Sequence, residues 1–359
     1  MQGRNFGLDL LRSILMLIGV LIHASTVMSP YGKWSYSSTM KLDDIPYALV
    51  YATHFFRMEA FFLVAGFFSL LVIARKSEEF YFKNRIKRVL IPLVFSILTI
   101  SPLVIYLSAI YSNLNINNIS IGNIVIHFWF LLTLMVLSAL TFGGFLDKLI
   151  KKLEKMQDLK IVVCLVIVGF VNLLINLAVI KFDPTQSGYL KQIYQLLITN
   201  TVYYGMFYIL GCAFYKNIEM INRSKLKFLH MIICLAVYST LLLVIREEML
   251  SGYYMKAIKL IYYSTLVIPA YISSVFLFKK FSELKIKESK LVKTLVDSSI
   301  IIYLFHVPAL IFISKMFDRQ IHNPYLYYIS ICLATYAMTF IIYFLIKSNR
   351  YTRFVYGLK

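Results

Sequence analysis

The chain has 359 residues, of which 60% are hydrophobic and only 15% charged. Soluble globular proteins have about 45–50% apolar and 25% charged residues, so this composition excludes an ordinary soluble domain. The formal net charge of +20 is typical of nucleic-acid-binding proteins, but the positive residues follow a membrane topology instead, and we expect no nucleic-acid partner.

The hydrophobic residues are concentrated in long runs, and about 20 apolar residues are needed to cross a bilayer as a helix. We therefore predict an all-α, polytopic integral membrane protein with about ten transmembrane helices, forming a single membrane domain over residues 1–359. The predicted spans are 8–28, 47–74, 89–111, 124–144, 161–180, 199–216, 226–245, 257–278, 297–316 and 325–346.

The distribution of Lys and Arg predicts the orientation of these spans. If the N-terminus is cytoplasmic, the inner segments hold 26 of the 37 Lys and Arg residues and the outer segments hold 8. Such an excess is typical of cytoplasmic loops, so both termini are predicted to be cytoplasmic. All four cysteines fall within predicted spans without Cys-x-x-Cys spacing, and we predict neither disulfides nor a metal site.

The first predicted span carries three ionisable residues. On an ideal helix, Arg12 and His23 are separated by three turns plus roughly 20°, so they share one face about 16 Å apart. Asp9 precedes Arg12 by three residues, a spacing that permits an ion pair. Charged groups at membrane depth usually face a cavity or a partner, although Asp9 and Arg12 could simply reach the headgroups and His23 could be an interhelical contact.

The second predicted span, with the sequence YATHFFRMEAFFLVAGFF, repeats this unusual feature. It places His54, Arg57 and Glu59 in an otherwise apolar segment. Arg57 is always charged and needs a carboxylate, a carbonyl or a ligand anion. Its position well inside the span favours a functional cavity.

The inner loop before the third span ends with Arg85 and Arg88 at i, i+3 spacing. A basic cluster here can serve topology and anionic-lipid contact. Paired arginines also suit phosphate binding.

Two later segments add polar groups. HFWFLL, in the fourth predicted span, contains His127 and Trp129. In the ninth, SSIIIYLFHVP places Ser299, Tyr303 and His306 on one helix face. Serine and histidine often connect membrane helices, so this stripe alone does not distinguish packing from chemistry.

Together these segments resemble the acyltransferase-3 family of integral membrane O-acyltransferases. The family's Arg, ten residues, His pattern corresponds to Arg12 and His23, and its Arg-x-x-Arg element to Arg85 and Arg88. FFLVAGFF is similar to the family's FF-x-x-SGF, with Ala65 where Ser is usual. HFWFLLTLMV and SIIIYLFHVPAL fit later blocks, so the resemblance runs from residue 6 to the ninth span.

Within the family, the chain resembles most closely the group of periplasmic glucan succinyltransferases, in DLLRSILMLIGVLIH, HFFRMEAFF, HFWFLL, YILGCAFY and IYLFH. The resemblance implies transfer of an acyl group, succinyl or acetyl, from cytoplasmic acyl-CoA to a hydroxyl of an extracytoplasmic glycan. The acceptor would be a periplasmic glucan or another cell-envelope polysaccharide. Acyl-CoA would be a co-substrate with no bound cofactor, and the location would be the bacterial inner (plasma) membrane.

The resemblance also implies roles for individual residues. His23 would be the general base for the acceptor hydroxyl, or would help to form an acyl-enzyme. Asp9 and Arg12 would shape the cytoplasmic entrance. Tyr303 and His306 are secondary candidates for the same chemistry.

The remaining arginines would bind the donor. Arg85 and Arg88 would hold the phosphates of CoA. Arg57 would bind the donor or stabilise the oxyanion, because a fixed charge in a dry cavity acts strongly on developing charge. His54, Glu59, His127, Trp129 and Ser299 would line the substrate cavity.

Two alternatives remain open at this point. The first is a polytopic exporter of a glycan or lipid-linked sugar, which would release no CoA. The second is a different membrane acyltransferase fold that acts on lipid. Many family members carry a fused extracytoplasmic domain, and we expect this chain to act alone or with a separate periplasmic partner.

Overall fold

The computed structural model describes residues 5–31, 36–112, 121–125, 127–182, 189–249, 252–287 and 289–358. All regular secondary structure in these ranges is helical, which confirms the all-α prediction. The first helices are α1 (Phe6–Val27), α2 (Asp44–Tyr51), α3 (Arg57–Arg75), α4 (Glu78–Arg85), α5 (Ile91–Ser112), α6 (Ile121–Val125), α7 (Trp129–Phe142), α8 (Asp147–Leu153) and α9 (Asp158–Phe182). They are followed by α10 (Tyr189–Tyr194), α11 (Asn200–Lys216), α12 (Glu219–Arg223), α13 (Phe228–Arg246), α14 (Gly252–Thr265), α15 (Val267–Glu283), α16 (Lys290–Phe317), α17 (Pro324–Ser348) and α18 (Arg350–Val355).

The described residues contain nine helical segments that are long and apolar enough to cross a membrane. This confirms a polytopic membrane protein; the orientation of its termini stays a prediction. The fourth predicted span, 124–144, differs from the structure. Helix α7 has only 14 residues, about 21 Å at 1.5 Å per residue, and is shorter than a bilayer core. A tenth span is reached only if α7 and α8, bent by 93°, are counted together.

The second predicted span, 47–74, is also not one continuous helix. A 3₁₀ turn, Ala52–Phe55, separates α2 from α3. The Thr53 hydroxyl donates a hydrogen bond of 2.8 Å to the Val50 carbonyl, and such side-chain bonds compete with regular helical bonding. As a result α3 begins at Arg57, inside an apolar segment. Two π-helical turns, Ile86–Leu90 and Gln195–Thr199, interrupt other segments.

The chain forms two compact units. Unit 1 comprises the described residues of Met1–Arg12, His54–Ile86 and Leu132–Lys287. Unit 2 comprises those of Ser13–Thr53, Lys87–Leu131 and Glu288–Lys359.

Unit 1 is built around the close packing of α3 against α11. A Cβ atom at Gly66 would lie 1.9 Å from the Tyr208 carbonyl oxygen, and one at Gly211 would lie 1.9 Å from the Leu63 carbonyl oxygen. Only glycine permits this distance at both positions, as at other close crossings of membrane helices. Helix α15 packs against α3 as well.

In unit 2, α16 packs against α17 and α5. Two tyrosines of α17 also hold α1: Tyr328 donates to the Leu21 carbonyl at 3.1 Å, and Tyr336 donates to the Leu17 carbonyl at 2.8 Å. These bonds occupy carbonyl groups of the helix that carries His23.

A short stretch after α1 connects the ends of α1 and α16 within unit 2. The Ser38 amide donates to the Val27 carbonyl at 3.0 Å. The Ser38 hydroxyl donates to Asp318 Oδ1 at 2.5 Å, and the amide and hydroxyl of Thr39 donate to the same oxygen at 3.0 Å each. We call this arrangement the Asp318 clasp. Burial raises the pKa of the adjacent Tyr36, and the charge of Asp318 adds to the shift, so Tyr36 stays protonated at neutral pH.

Candidate active site

Three histidines from separate parts of the chain meet in unit 2. The ring of His306 lies between the other two, with centroid distances of 5.0 Å to His23 and 5.0 Å to His127. His306 is 1% exposed and His127 is 5% exposed, whereas His23 is partly exposed. His23 is therefore the most exposed ring of the three, and His306 separates it from His127.

Hydrogen bonds to carbonyl groups indicate the tautomer of the two buried rings in their neutral form. His306 Nδ1 lies 2.6 Å from the Tyr303 carbonyl oxygen, and His127 Nε2 lies 3.1 Å from the Leu304 carbonyl oxygen. A carbonyl oxygen only accepts, so both nitrogens carry a hydrogen. In the neutral rings, His306 Nε2 and His127 Nδ1 are then the acceptor atoms.

Tyr303 completes this cluster. Its hydroxyl donates to the His127 carbonyl oxygen, and its ring packs edge-on against Phe130 at 4.4 Å. Ser299, predicted on the same face of α16, is buried, but its hydroxyl donates to the Val296 carbonyl of its own helix at 2.9 Å. Trp129 begins α7 and is half-buried. The structure thus brings together His23, His127, Tyr303 and His306.

Asp9 and Arg12 form the ion pair that their spacing predicts. Arg12 Nη2 lies 3.5 Å from Asp9 Oδ1, and the guanidinium lies 5.8 Å from the Phe68 ring centroid. Asp9 is buried and Arg12 is partly exposed. Both belong to unit 1, so α1 contributes residues to both units.

Arg85 lies in a polar network of unit 1. Its Nη2 donates to Ser69 Oγ at 3.0 Å, and its guanidinium lies 5.0 Å from the Tyr81 ring centroid. The Tyr81 hydroxyl is 3.1 Å from the Tyr208 hydroxyl, which is 2.9 Å from Thr141 Oγ1. In the described part of the chain Arg85 forms no ion pair, and its buried Nε has no hydrogen-bond partner.

Arg85 is half-buried, and a partly desolvated cation is costly unless an anion compensates it. Arg85 is therefore well suited to a negatively charged ligand. Arg88, predicted to act with it, lies in the π-helical turn of unit 2 and is exposed.

A second polar group of unit 1 surrounds the start of α3. Arg57 and Glu59 are both buried, and half-buried His54 lies in the preceding 3₁₀ turn. Arg57 lies close enough to His54 and Glu59 to act on both electrostatically. The structure thus places these three residues close together.

Several polar residues around the arginines were not among the sequence candidates: Ser69, Tyr81, Thr141, Tyr203 and Tyr208. Tyr81 precedes Arg85 by four residues, so helical spacing could have identified it. The others come from distant segments, and no local pattern points to them. Among the described residues, no group of three or more His, Cys, Asp or Glu is arranged to hold a metal ion.

Comparison with known protein families decides the class of the molecule. The family model with the description "Acyltransferase domain", that of the acyltransferase-3 family, matches residues 5–344. The chain belongs to this family. The membership predicted from its motifs is confirmed, and acyltransferase chemistry is the activity that goes with this membership.

Curated relatives agree with this assignment. The chain is 27% identical over 232 residues to glucans biosynthesis protein C of Escherichia coli (strain SMS-3-5 / SECEC), covering 58% of this chain and 57% of the relative. It is 25% identical over 242 residues to the protein of the same name from Salmonella paratyphi B, covering 61% of this chain and 60% of the relative. It is 26% identical over 227 residues to the Shigella dysenteriae protein of that name, covering 58% of this chain and 57% of the relative. The chain thus matches less than two thirds of the length of these relatives, and no solved structure matches it.

Proposed function

We propose that this acyltransferase moves an acyl group, succinyl or acetyl, from cytoplasmic acyl-CoA to a hydroxyl of an extracytoplasmic glycan. The acceptor is a periplasmic glucan or another cell-envelope polysaccharide. Family membership supports acyl transfer, and the name of the relatives supports glucan biosynthesis. The protein acts in the bacterial inner membrane, alone or with a separate periplasmic partner.

The observation that carries this proposal is the histidine cluster, in which a partly exposed His23 is backed by the buried His306. His23 removes the proton of the acceptor hydroxyl as general base. The resulting oxygen attacks the thioester carbonyl, a C–O bond forms, and the C–S bond breaks. The proton on His23 then passes to the departing CoA thiolate, so protons balance over one turnover.

His306 acts as a positioning residue in this scheme. Its Nδ1 donates to the Tyr303 carbonyl, so a neutral His306 presents an acceptor nitrogen rather than a second cation. Two adjacent imidazolium rings would repel each other. A neutral His306 therefore favours proton uptake by His23 and fixes the orientation of its ring.

Donor binding rests on the arginines. Arg85, which lacks a carboxylate partner among the described residues, binds a phosphate of CoA. Exposed Arg88 adds a weaker, solvent-screened attraction for the same group. Arg57 binds the donor or stabilises the oxyanion, and the Asp9–Arg12 pair shapes the cytoplasmic entrance.

Mass spectrometry of cell-envelope glycans tests the proposal directly. Cells that lack the protein are compared with cells that produce the wild type, His23→Ala or His322→Ala at equal membrane levels. His322 is an exposed histidine outside the cluster and serves as the matched control. We expect one acyl mass to disappear without the protein, and to return with the wild type and His322→Ala but not with His23→Ala.

CoA release from purified protein separates the two classes of function. An acyltransferase releases CoA from acyl-CoA when the glycan is present, whereas an exporter releases none. Absence of CoA release from the wild type would refute acyl transfer. Full restoration of the glycan by His23→Ala would show that His23 is a packing residue and would refute the proposed mechanism.

A further inference from the structure

The start of α3 carries a buried carboxyl group for which the proposed chemistry has no use. Glu59 lies in the first turn of α3 and is 4% exposed. Its Oε2 atom has no hydrogen-bond partner among the described residues. A buried carboxyl oxygen without a partner is costly, so a ligand that donates a hydrogen bond to this atom would be stabilised by it.

Helix α11 and the π-helical turn before it carry more buried polar atoms without a hydrogen-bond partner among the described residues. Tyr203 lies next to Glu59, although the two groups do not meet hydrogen-bond geometry. Its hydroxyl is buried and has no partner in the part of the chain that is described. The same is true of the Thr199 hydroxyl, one turn earlier on the same face of the segment. Buried polar atoms of native proteins rarely stay unsatisfied.

The charges around Glu59 restrict the class of ligand. Arg57 lies close enough to act on Glu59 electrostatically. A cation would be repelled by the arginine. A compound with hydroxyl groups fits the other two groups, because each hydroxyl can donate to Glu59 Oε2 and accept from Tyr203.

Aromatic rings surround these polar groups. Tyr204 stacks on Phe62 with ring centroids 5.1 Å apart and packs edge-on against Tyr203 at 5.0 Å. Tyr262 also lies within electrostatic reach of Tyr203. A few placed polar groups among aromatic side chains are the usual lining of a small-molecule site.

From these observations we propose that Glu59, Tyr203 and Thr199 form a binding site for a neutral sugar segment of the glycan acceptor. Glu59 accepts hydrogen bonds from sugar hydroxyls, Tyr203 and Thr199 complete the bonding of these hydroxyls, and the positive charge of Arg57 disfavours a cationic ligand. This inference rests on the proposed function, because it names the part of the protein that recognises the acceptor.

Binding of laminarihexaose, a neutral gluco-oligosaccharide, tests the site without any reaction. Isothermal titration calorimetry is performed in detergent on full-length protein carrying His23→Ala, which stops turnover. Glu59→Gln and Tyr203→Phe are added singly to this background. The controls are Glu79→Gln and Tyr263→Phe, because Glu79 and Tyr263 are exposed residues of the same unit. Monodisperse elution of each variant checks its fold.

We expect saturable binding that weakens about tenfold with Glu59→Gln and severalfold with Tyr203→Phe, while both controls bind like the parent. In turnover assays on the His23 protein, Glu59→Gln should raise the KM for acceptor and leave the KM for acyl-CoA unchanged. Equal binding by parent and Glu59→Gln, or no binding by the parent, would overturn the inference and identify Glu59 as a structural partner of Arg57. A raised KM for acyl-CoA would overturn it as well.

The binding and turnover results can be separated. If the wild-type protein releases no CoA, acyl transfer is refuted, and calorimetric binding of laminarihexaose still tests the sugar site independently. Wild-type protein that transfers acyl groups but shows no effect of Glu59→Gln refutes only the sugar site.

Discussion

The substitution Gly211→Ala tests whether the close crossing of α3 and α11 determines the geometry of unit 1. The added Cβ atom would lie 1.9 Å from the Leu63 carbonyl oxygen. An ordinary contact is 3.4 Å or longer, so the helices must separate by about 1.5 Å or bend. Both atoms belong to rigid helix backbone, and neither can rotate away.

The expected loss of stability follows from this distance. Overpacking a rigid site costs about 1–3 kcal/mol of stability. Because the added Cβ would meet helix backbone that cannot rotate away, we expect Gly211→Ala to cost about 3 kcal/mol. Replacing Gly by Ala within a helix returns about 1 kcal/mol, which leaves a net loss of about 2 kcal/mol. Gly205→Ala, on the same helix, is the matched control, because its Cβ would lie 3.2 Å from the flexible Leu137 side chain.

Thermal unfolding of both purified variants in detergent measures this difference. The fraction of protein that still elutes as a monodisperse peak is followed after heating at increasing temperature. We expect Gly211→Ala to unfold several degrees below the wild type and Gly205→Ala to stay within a degree or two of it. Equal midpoints for the two variants would refute the argument that this crossing is rigid.

Three further substitutions have defined outcomes. Tyr208→Phe should lower stability by about 1 kcal/mol, because Tyr81 loses a hydrogen-bond partner in the network around Arg85. If Arg85 binds the donor as proposed, the KM for acyl-CoA should also rise. Michaelis constants for donor and acceptor check this, and an unchanged KM for acyl-CoA contradicts it. Asp318→Ala should increase amide hydrogen exchange in the stretch after α1 that contains Ser38 and Thr39, because three hydrogen bonds to one carboxylate oxygen are lost. Hydrogen-exchange mass spectrometry measures this. Amide protection equal to that of the wild type would contradict a stabilising role of the Asp318 clasp. Gly357→Ala should loosen the C-terminal residues, because the φ of +71° at Gly357 favours glycine and the new Cβ would lie 2.9 Å from Pro92 Cγ. Limited proteolysis measures this, and unchanged protease resistance of the C-terminus would contradict it.

Much of the fold could be predicted from hydropathy, because an apolar segment in lipid must satisfy its own backbone as a helix. Hydropathy alone does not reveal the interruptions. The 3₁₀ turn before Arg57 lies inside apolar sequence, where the Thr53 hydroxyl bonds the Val50 carbonyl. The bend after α7 follows Gly143 and Gly144, and the φ of +69° at Gly144 favours glycine, so the predicted fourth span is shorter in the structure.

In the candidate site, contacts between residues close in sequence could be predicted, whereas contacts between distant segments could not. The Asp9–Arg12 ion pair follows from helical spacing and is present. The contact between His23 and His306 joins residues far apart in the chain, and a single sequence contains no signal for such a contact. Helical spacing also fails at Arg85 and Arg88, because the intervening backbone is π-helical and the two side chains have different exposure.

The Asp318 clasp has a mechanical consequence. It joins the C-terminal end of α1 to the C-terminal end of α16, and His23 lies about one helical turn from that junction along α1. Because this fixed point lies so near the ring, tilting of α1 displaces its N-terminal half far more than its histidine. Bilayers of different thickness should therefore change donor access while leaving the spacing of the histidine rings almost constant.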